Sequence, residues 1–315
     1  MKINQPSNLP ILHSSILPFF HPSNRSLKGV ALALASSACI AVTFIASKQA
    51  MQELSPLAFT PIWFAVASAW GAGVYLWQQG PKLPTGLSAS IRPILLLGLL
   101  NGLANFLFFT SIDWGDPTLI AFFSRSETIY SVLLGAWFLG ERMRGWQWLG
   151  VAIAIAGTGA MTFRAGTLVW VVMGLALASN FFLAWSNLVA KKSIAAAPPL
   201  ILSTARTLVM TLMLGLFGWA AGELAWPGLS TWLWIVAGAF FGPFLSYVLF
   251  YKSLRYLDLS KGAVIRATQP LFVTIYGLAL FGTVINFQQF FGGLVMTAGV
   301  VLMLWEQKRL PKIGD

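Results

Sequence analysis

The sequence predicts an all-α, polytopic membrane protein of ten transmembrane helices, arranged as two inverted five-helix repeats. Three observations carry this: an apolar composition, ten apolar runs of spanning length, and a register that superposes the two halves. Of the 315 residues, 57% are hydrophobic and 9% charged. A soluble domain carries roughly 25% charged residues. A bilayer can accept this much apolar surface, and a soluble core of this length cannot hide it.

A helix needs about 20 mostly apolar residues to cross the hydrocarbon core. Runs at 29–47, 57–77, 93–112, 117–138, 146–163, 168–190, 200–221, 231–251, 260–281 and 288–305 have the required character. Gly80-Pro81 closes the second run. Asp113–Asp116 separates the third from the fourth, Arg164–Gly166 the fifth from the sixth, and Pro198-Pro199 opens the seventh. The runs are continuous rather than alternating, which excludes a closed β-barrel. The expected units are a first repeat over 28–163 and a second over 168–306, with a cytoplasmic tail at 307–315. Residues 1–27, with Pro6, Pro10, Pro18 and Pro22, read as a disordered cytoplasmic leader. They lack the charged start, apolar middle and cleavage site of a signal peptide; a transit peptide is the alternative.

The net charge of +11 sorts by position. With the amino terminus in the cytoplasm, fifteen of the 20 basic residues fall on inner segments and only Lys48 and Arg164 on outer ones. This positive-inside asymmetry predicts both termini cytoplasmic in a plasma (inner) membrane, and it accounts for the basic balance without nucleic acid. The lone Cys39 permits no internal disulfide. His13 and His21 both precede the first span, so no metal or cofactor site is expected.

The halves repeat. Leu32-Ala-Leu-Ala-Ser36 recurs as Leu175-Ala-Leu-Ala-Ser179, and Lys48 and Pro56 fall on Lys191 and Pro199, all at an offset of 143. Farther on the offset is 142. Leu103, Leu107 and Phe108 match Leu245, Leu249 and Phe250, while Gly140, Gly150, Gly157 and Met161 match Gly282, Gly292, Gly299 and Met303. Five spans are an odd number, so the second copy enters the membrane upside down. Inverted repeats of this kind recur in transporters, with the substrate site between the halves near the midplane.

Four stretches stand out: Pro270-Leu-Phe followed by Gly282, Gly292 and Gly299; Leu139-Gly-Glu141-Arg142 leading to Leu149-Gly150; Ser253-Leu-Arg-Tyr-Leu-Asp-Leu-Ser260-Lys-Gly-Ala263; and Pro199 with Arg206. Together they resemble the EamA family of the drug/metabolite transporter superfamily. The resemblance covers about 28–306. It implies a ten-helix carrier, with helices four and nine lining a cavity, and makes export the commoner expectation. The motifs are each whole in one half only: Pro270 faces Thr128, Glu141 faces Thr283, and Arg206 faces Trp63.

A charge inside a span costs about 2.5–3.5 kcal/mol on insertion scales and so faces the bundle interior or water. Arg125 and Glu127 on helix four, and Arg266 with Gln269 on helix nine, meet that description, and the two arginines hold nearly equivalent repeat positions. A guanidinium there can bind carboxylate or phosphate bidentately; the alternative is internal pairing with Glu127. Glu127 is also where a proton would ride if transport were proton-coupled, although adjacent arginine argues against it. Arg206 is expected to snorkel to the cytoplasmic interface. Lys48 and Lys191 are expected as interfacial anchors or gates. Asn101 with Asn105, Tyr247 with Tyr251, and Asn180 with Asn187 share helix faces and are candidates for the substrate lining or for helix–helix bonds.

No phosphate-binding loop, His-Glu-x-x-His or intramembrane Ser-His-Asp set is present. The expected protein is therefore not an enzyme but a secondary transporter of a small polar or amphipathic metabolite, such as an amino acid or organic anion. Its partners are that small-molecule solute and the lipid bilayer; the oligomeric state is left open, a monomer included. A membrane enzyme acting on a lipid-linked substrate and a lipid-translocating bundle are the alternatives.

Overall fold

The computed structural model describes residues 24–81, 87–114, 124, 126–162, 170–195, 197–281 and 287–304. The expected leader up to residue 23, the tail 307–315, the Arg164–Gly166 connection and Arg125 lie outside the described residues.

All regular structure among the described residues is helical. The helices are α1 (Asn24–Ala50), α2 (Pro56–Gln79), α3 (Leu87–Trp114), α4 (Ser126–Leu139), α5 (Gly145–Thr162), α6 (Trp170–Ser193) and α7 (Pro199–Ala220). The second half continues with α8 (Leu229–Ala239), a π-helical stretch (Phe240–Ser246), α9 (Tyr247–Ser253), α10 (Leu259–Arg266), α11 (Gln269–Phe281) and α12 (Phe287–Leu304). The α8–π–α9 rod forms one span and α10–α11 another, giving ten. Six helical stretches are by themselves long and apolar enough to cross a membrane.

Prolines explain the two irregular spans. Pro243 has no N–H to give to Ala239, and the rod widens to a π-helix there. The run at 260–281, expected as one helix, is instead broken at Ala267–Thr268. Pro270 cannot donate to the carbonyl of Arg266, so α10 stops and α11 restarts.

The repeats interleave. α1 packs on α8, the π-helical stretch, α9, α10 and α11 of the other repeat, and α6 packs in the same way on α3 and α4. α2 pairs with α7, and α5 with α12. In that last pair glycine lets backbones touch. A Cβ at Gly150 would lie 2.8 Å from the carbonyl oxygen of Gly299, and one at Gly157 would lie 2.8 Å from that of Gly292. Gly150 and Gly157 are the repeat counterparts of Gly292 and Gly299, so the crossing sits on the two-fold relation between the halves. Large side chains such as Trp77, Leu212 and Leu233 point outward, as lipid-facing residues do.

Candidate functional site

Between the interleaved repeats lies a cavity of about 500 Å³. α1 contributes Thr43, Ser47, Lys48 and Met51; α2 contributes Trp63; α3 contributes Asn105 and Phe109. The second half supplies Asn180, Arg206, Pro243, Tyr247, Arg266 and Gln269, and Glu127 completes the wall. Both helix defects border the space, since Pro243 and Arg266 line it. Arg206 and Arg266 at its floor are buried, whereas Lys48 at the far end of α1 is exposed. The cavity therefore runs from the middle of the bundle toward the Lys48 end.

The floor is built around Tyr247. The guanidinium of Arg206 stacks 3.6 Å from its ring centroid, and that of Arg266 lies 5.0 Å away. Arg266 also lies 4.5 Å from the Phe250 ring. Its Nε and Nη1 have no hydrogen-bond partner among the described residues, and its nearest acid, Glu127, stands at 3.9 Å. That distance is a loose ion pair, too long for a hydrogen bond. Glu127 Oε1 instead accepts from Asn187 Nδ2 at 2.9 Å. Among the described lining residues, Lys48, Arg206 and Arg266 are cationic and Glu127 alone is acidic.

Arg206 does not snorkel. It is 1% exposed and turned inward, with Nη1 donating to Asn101 Oδ1 at 3.0 Å and Nη2 to the Pro243 carbonyl at 2.9 Å. Fixed acceptors for the two terminal nitrogens and an aromatic face outweigh the interface, although Nε has no hydrogen-bond partner among the described residues. Lys191 is likewise an internal tie rather than an anchor. Its Nζ donates to the carbonyl of Leu254, the C-cap of α9, at 2.6 Å and to that of Leu257, in the connection to α10, at 2.5 Å.

Of the candidate lining residues, Glu127, Arg266, Gln269, Asn105, Tyr247 and Asn180 border the cavity, and Asn101 and Tyr251 do not. Both of the latter sit one turn deeper than the neighbours with which they share a face. Asn101 is fully buried, donating to Leu97 O at 2.9 Å and to Ser186 Oγ. Tyr251 is fully buried beneath Tyr247, with ring centroids 5.8 Å apart. Trp63 was not singled out as a lining residue, yet as the repeat counterpart of Arg206 it was findable. No cluster of His, Cys, Asp and Glu able to hold a metal occurs among the described residues.

A membrane-spanning bundle of inverted repeats with a charged central cavity is the architecture of a membrane transporter. The model of the EamA-like transporter family matches residues 27–163 and again 170–305, and the chain belongs to that family. An uncharacterized transporter of Pseudomonas aeruginosa is 33% identical over 160 residues, 49% of this chain and 51% of that protein. A probable amino-acid metabolite efflux pump of Escherichia coli is 28% identical over 134 residues, 42% of each chain. The chloroplastic phosphoenolpyruvate/phosphate translocator 1 of Arabidopsis thaliana is 27% identical over 157 residues, 47% of this chain and 36% of that one. The chain thus spans about half the length, or less, of these relatives. A solved crystal structure superposes with a TM-score of 0.73 at 18% identity, covering 89% of this chain and 98% of the other, a match of fold.

Proposed function

We propose that the protein is a secondary carrier that exports a small solute bearing an anionic group, an amino acid or an organic anion, by alternating access. One observation carries the reading: Arg266, 8% exposed at the cavity floor, keeps two guanidinium nitrogens without a hydrogen-bond partner among the described residues. A carboxylate or phosphate fits those donors, and Glu127 at 3.9 Å is loose enough to yield its place. The names of the Escherichia coli and Arabidopsis relatives, one for amino-acid metabolites and one for phosphorylated carboxylates, agree with this class. The positive-inside asymmetry of the basic residues supports a plasma-membrane carrier with both termini in the cytoplasm. Export follows the efflux relative.

The test is counterflow into proteoliposomes. Labelled amino acids, carboxylates, phosphorylated carboxylates and cationic amines are screened against wild type and Arg266→Gln. The expected result is counterflow of at least one anionic or zwitterionic solute, reduced at least tenfold in the variant. Transport of cationic amines alone, or an Arg266→Gln variant as fast as wild type, overturns the proposal.

A further inference from the structure

In the second repeat, α8 and α10 begin without a side-chain cap of their own. α8 has Gly228 at its N-cap, which has no side chain to accept from the first turn. α10 has Asp258 there, but its carboxylate makes no cap bond and pairs with Lys261 at 3.3 Å. Each cap is supplied by a glutamate of the first repeat. Glu53 accepts from the Gly228 N–H at 2.7 Å and from the Thr231 hydroxyl. Glu141 accepts from the N–H of Leu259 at 2.6 Å through Oε1, and through Oε2 from the N–H of Ser260 at 3.0 Å and its hydroxyl at 2.5 Å.

The two caps differ in what they close. Glu53 lies at the Lys48 end, where the cavity reaches the exposed Lys48 with this cap formed. It is a joint rather than a closure. Glu141 lies at the opposite end, where α4 meets α10 below the buried floor. Gly135 makes room for it: a Cβ there would lie 2.6 Å from Ser260 Oγ and collide with the carboxylate itself. α10 carries Arg266 at its last residue, so whatever holds the start of α10 also holds that arginine. By repeat register the counterpart of Glu141 is Thr283, which has no carboxylate.

We infer that Glu141 is a gate residue: its carboxylate clasps α4 of one repeat to the start of α10 in the other, closes the bundle at that end, and biases the resting carrier open toward the Lys48 end. To open the other way, the carrier must release three hydrogen bonds to one carboxylate and leave the first turn of α10 uncapped. The inference rests on alternating access but not on the identity of the solute.

The experiment reads accessibility without any solute, so its failure leaves the anion proposal standing, and the reverse also holds. In a Cys39→Ser background, single reporters are placed at Ser47 on the cavity wall and at Ala263 on the buried face of α10. Labelling by a membrane-impermeant maleimide is timed for purified full-length protein in nanodiscs. With Glu141 intact, the Ser47→Cys reporter reacts and the Ala263→Cys reporter is protected. Glu141→Ala is expected to speed the Ala263→Cys reaction about tenfold and slow the Ser47→Cys reaction, a population shift of about 1.4 kcal/mol. Ser260→Ala, which keeps both backbone bonds, gives an intermediate shift in the same directions and covers the case where Glu141→Ala folds poorly. Unchanged labelling at both reporters overturns the inference. Faster labelling at both also overturns it, since that is loosening rather than gating.

Discussion

Arg206→Lys separates shape from charge at the cavity floor. The substitution keeps a cation in a site that is 1% exposed, and because an ammonium is more strongly hydrated than a guanidinium, desolvation adds to the loss rather than offsetting it. The larger change is in geometry. The guanidinium serves Asn101 Oδ1 at 3.0 Å and the Pro243 carbonyl at 2.9 Å with two different nitrogens while stacking on Tyr247. A single ammonium on a lysine stem reaches one of those acceptors and loses the planar stack. One charge-assisted hydrogen bond is worth about 1.5–3 kcal/mol and a desolvated cation–π contact about 2 kcal/mol, part of which an ammonium over the ring retains. The expected loss is about 2–4 kcal/mol, or roughly 5–10 °C in melting temperature by the scaling for large domains. The assay is thermal unfolding in detergent, followed by a thiol-reactive dye on Cys39, the chain's single cysteine. A lysine variant that melts within about 1 °C of wild type refutes the view that a planar two-acceptor strut holds the π-helical stretch in place.

Three further expectations follow from the packing. Gly157→Ala pushes a methyl into the backbone of Met296 and is expected to lower stability by about 1–3 kcal/mol, whereas Gly73→Ala, with open space around it, is neutral or stabilising; paired melting curves decide it. Ser36 donates to the Ser246 carbonyl at 2.8 Å and Ser179 to the Ala104 carbonyl at 2.7 Å, so Ser36→Ala and Ser179→Ala are expected to cost about 1 kcal/mol each and to add in the double variant. The Thr231 hydroxyl and then the Gly228 N–H hold the Glu53 carboxyl below its ordinary value of 4.5. A depressed carboxylate contributes stability above its ordinary value and loses it as pH falls through the lowered one. The melting-temperature advantage of wild type over Glu53→Gln is therefore expected to persist at pH 5–7 and to vanish under more acidic conditions. Glu223 lies at the same corner, accepting from the Ser55 hydroxyl at 2.8 Å.

The architecture was legible because it rests on quantities a sequence carries directly: run length, hydropathy and register. The destination of Arg206 was not. Seven residues into its span, a long side chain can reach the interface, and nothing local says otherwise. Its acceptors are Asn101, 105 residues away, and a carbonyl at a helix defect in another span. The break in the ninth span was half legible. Pro270 was in view, but the run on both sides is apolar enough to pass for one helix. Asn101 and Tyr251 show a different limit. A spacing of four places residues on one face, but a cavity has a floor, and one helical turn of about 5.4 Å decides which side of it a residue falls on.

The repeat register divides the molecule into what the halves share and what they do not. Shared are the framework contacts: the Ser36 and Ser179 hydrogen bonds are images of each other, since Ser36 and Ser246 correspond to Ser179 and Ala104, and the Gly150–Gly299 approach is the image of Gly157–Gly292. Unshared are several of the polar residues that line the cavity, and the carboxylate at its closed end. Trp63 stands where the other half has Arg206, Asn105 where it has Tyr247, and Thr283 where the first has Glu141. A carrier whose two end states were images of each other would populate both equally and bind a solute identically in each. Symmetric helix crossings let the halves exchange packing at similar energy. In the carrier proposed above, the asymmetric cations set which chemistry the cavity accepts, and the asymmetric carboxylate sets which end rests closed.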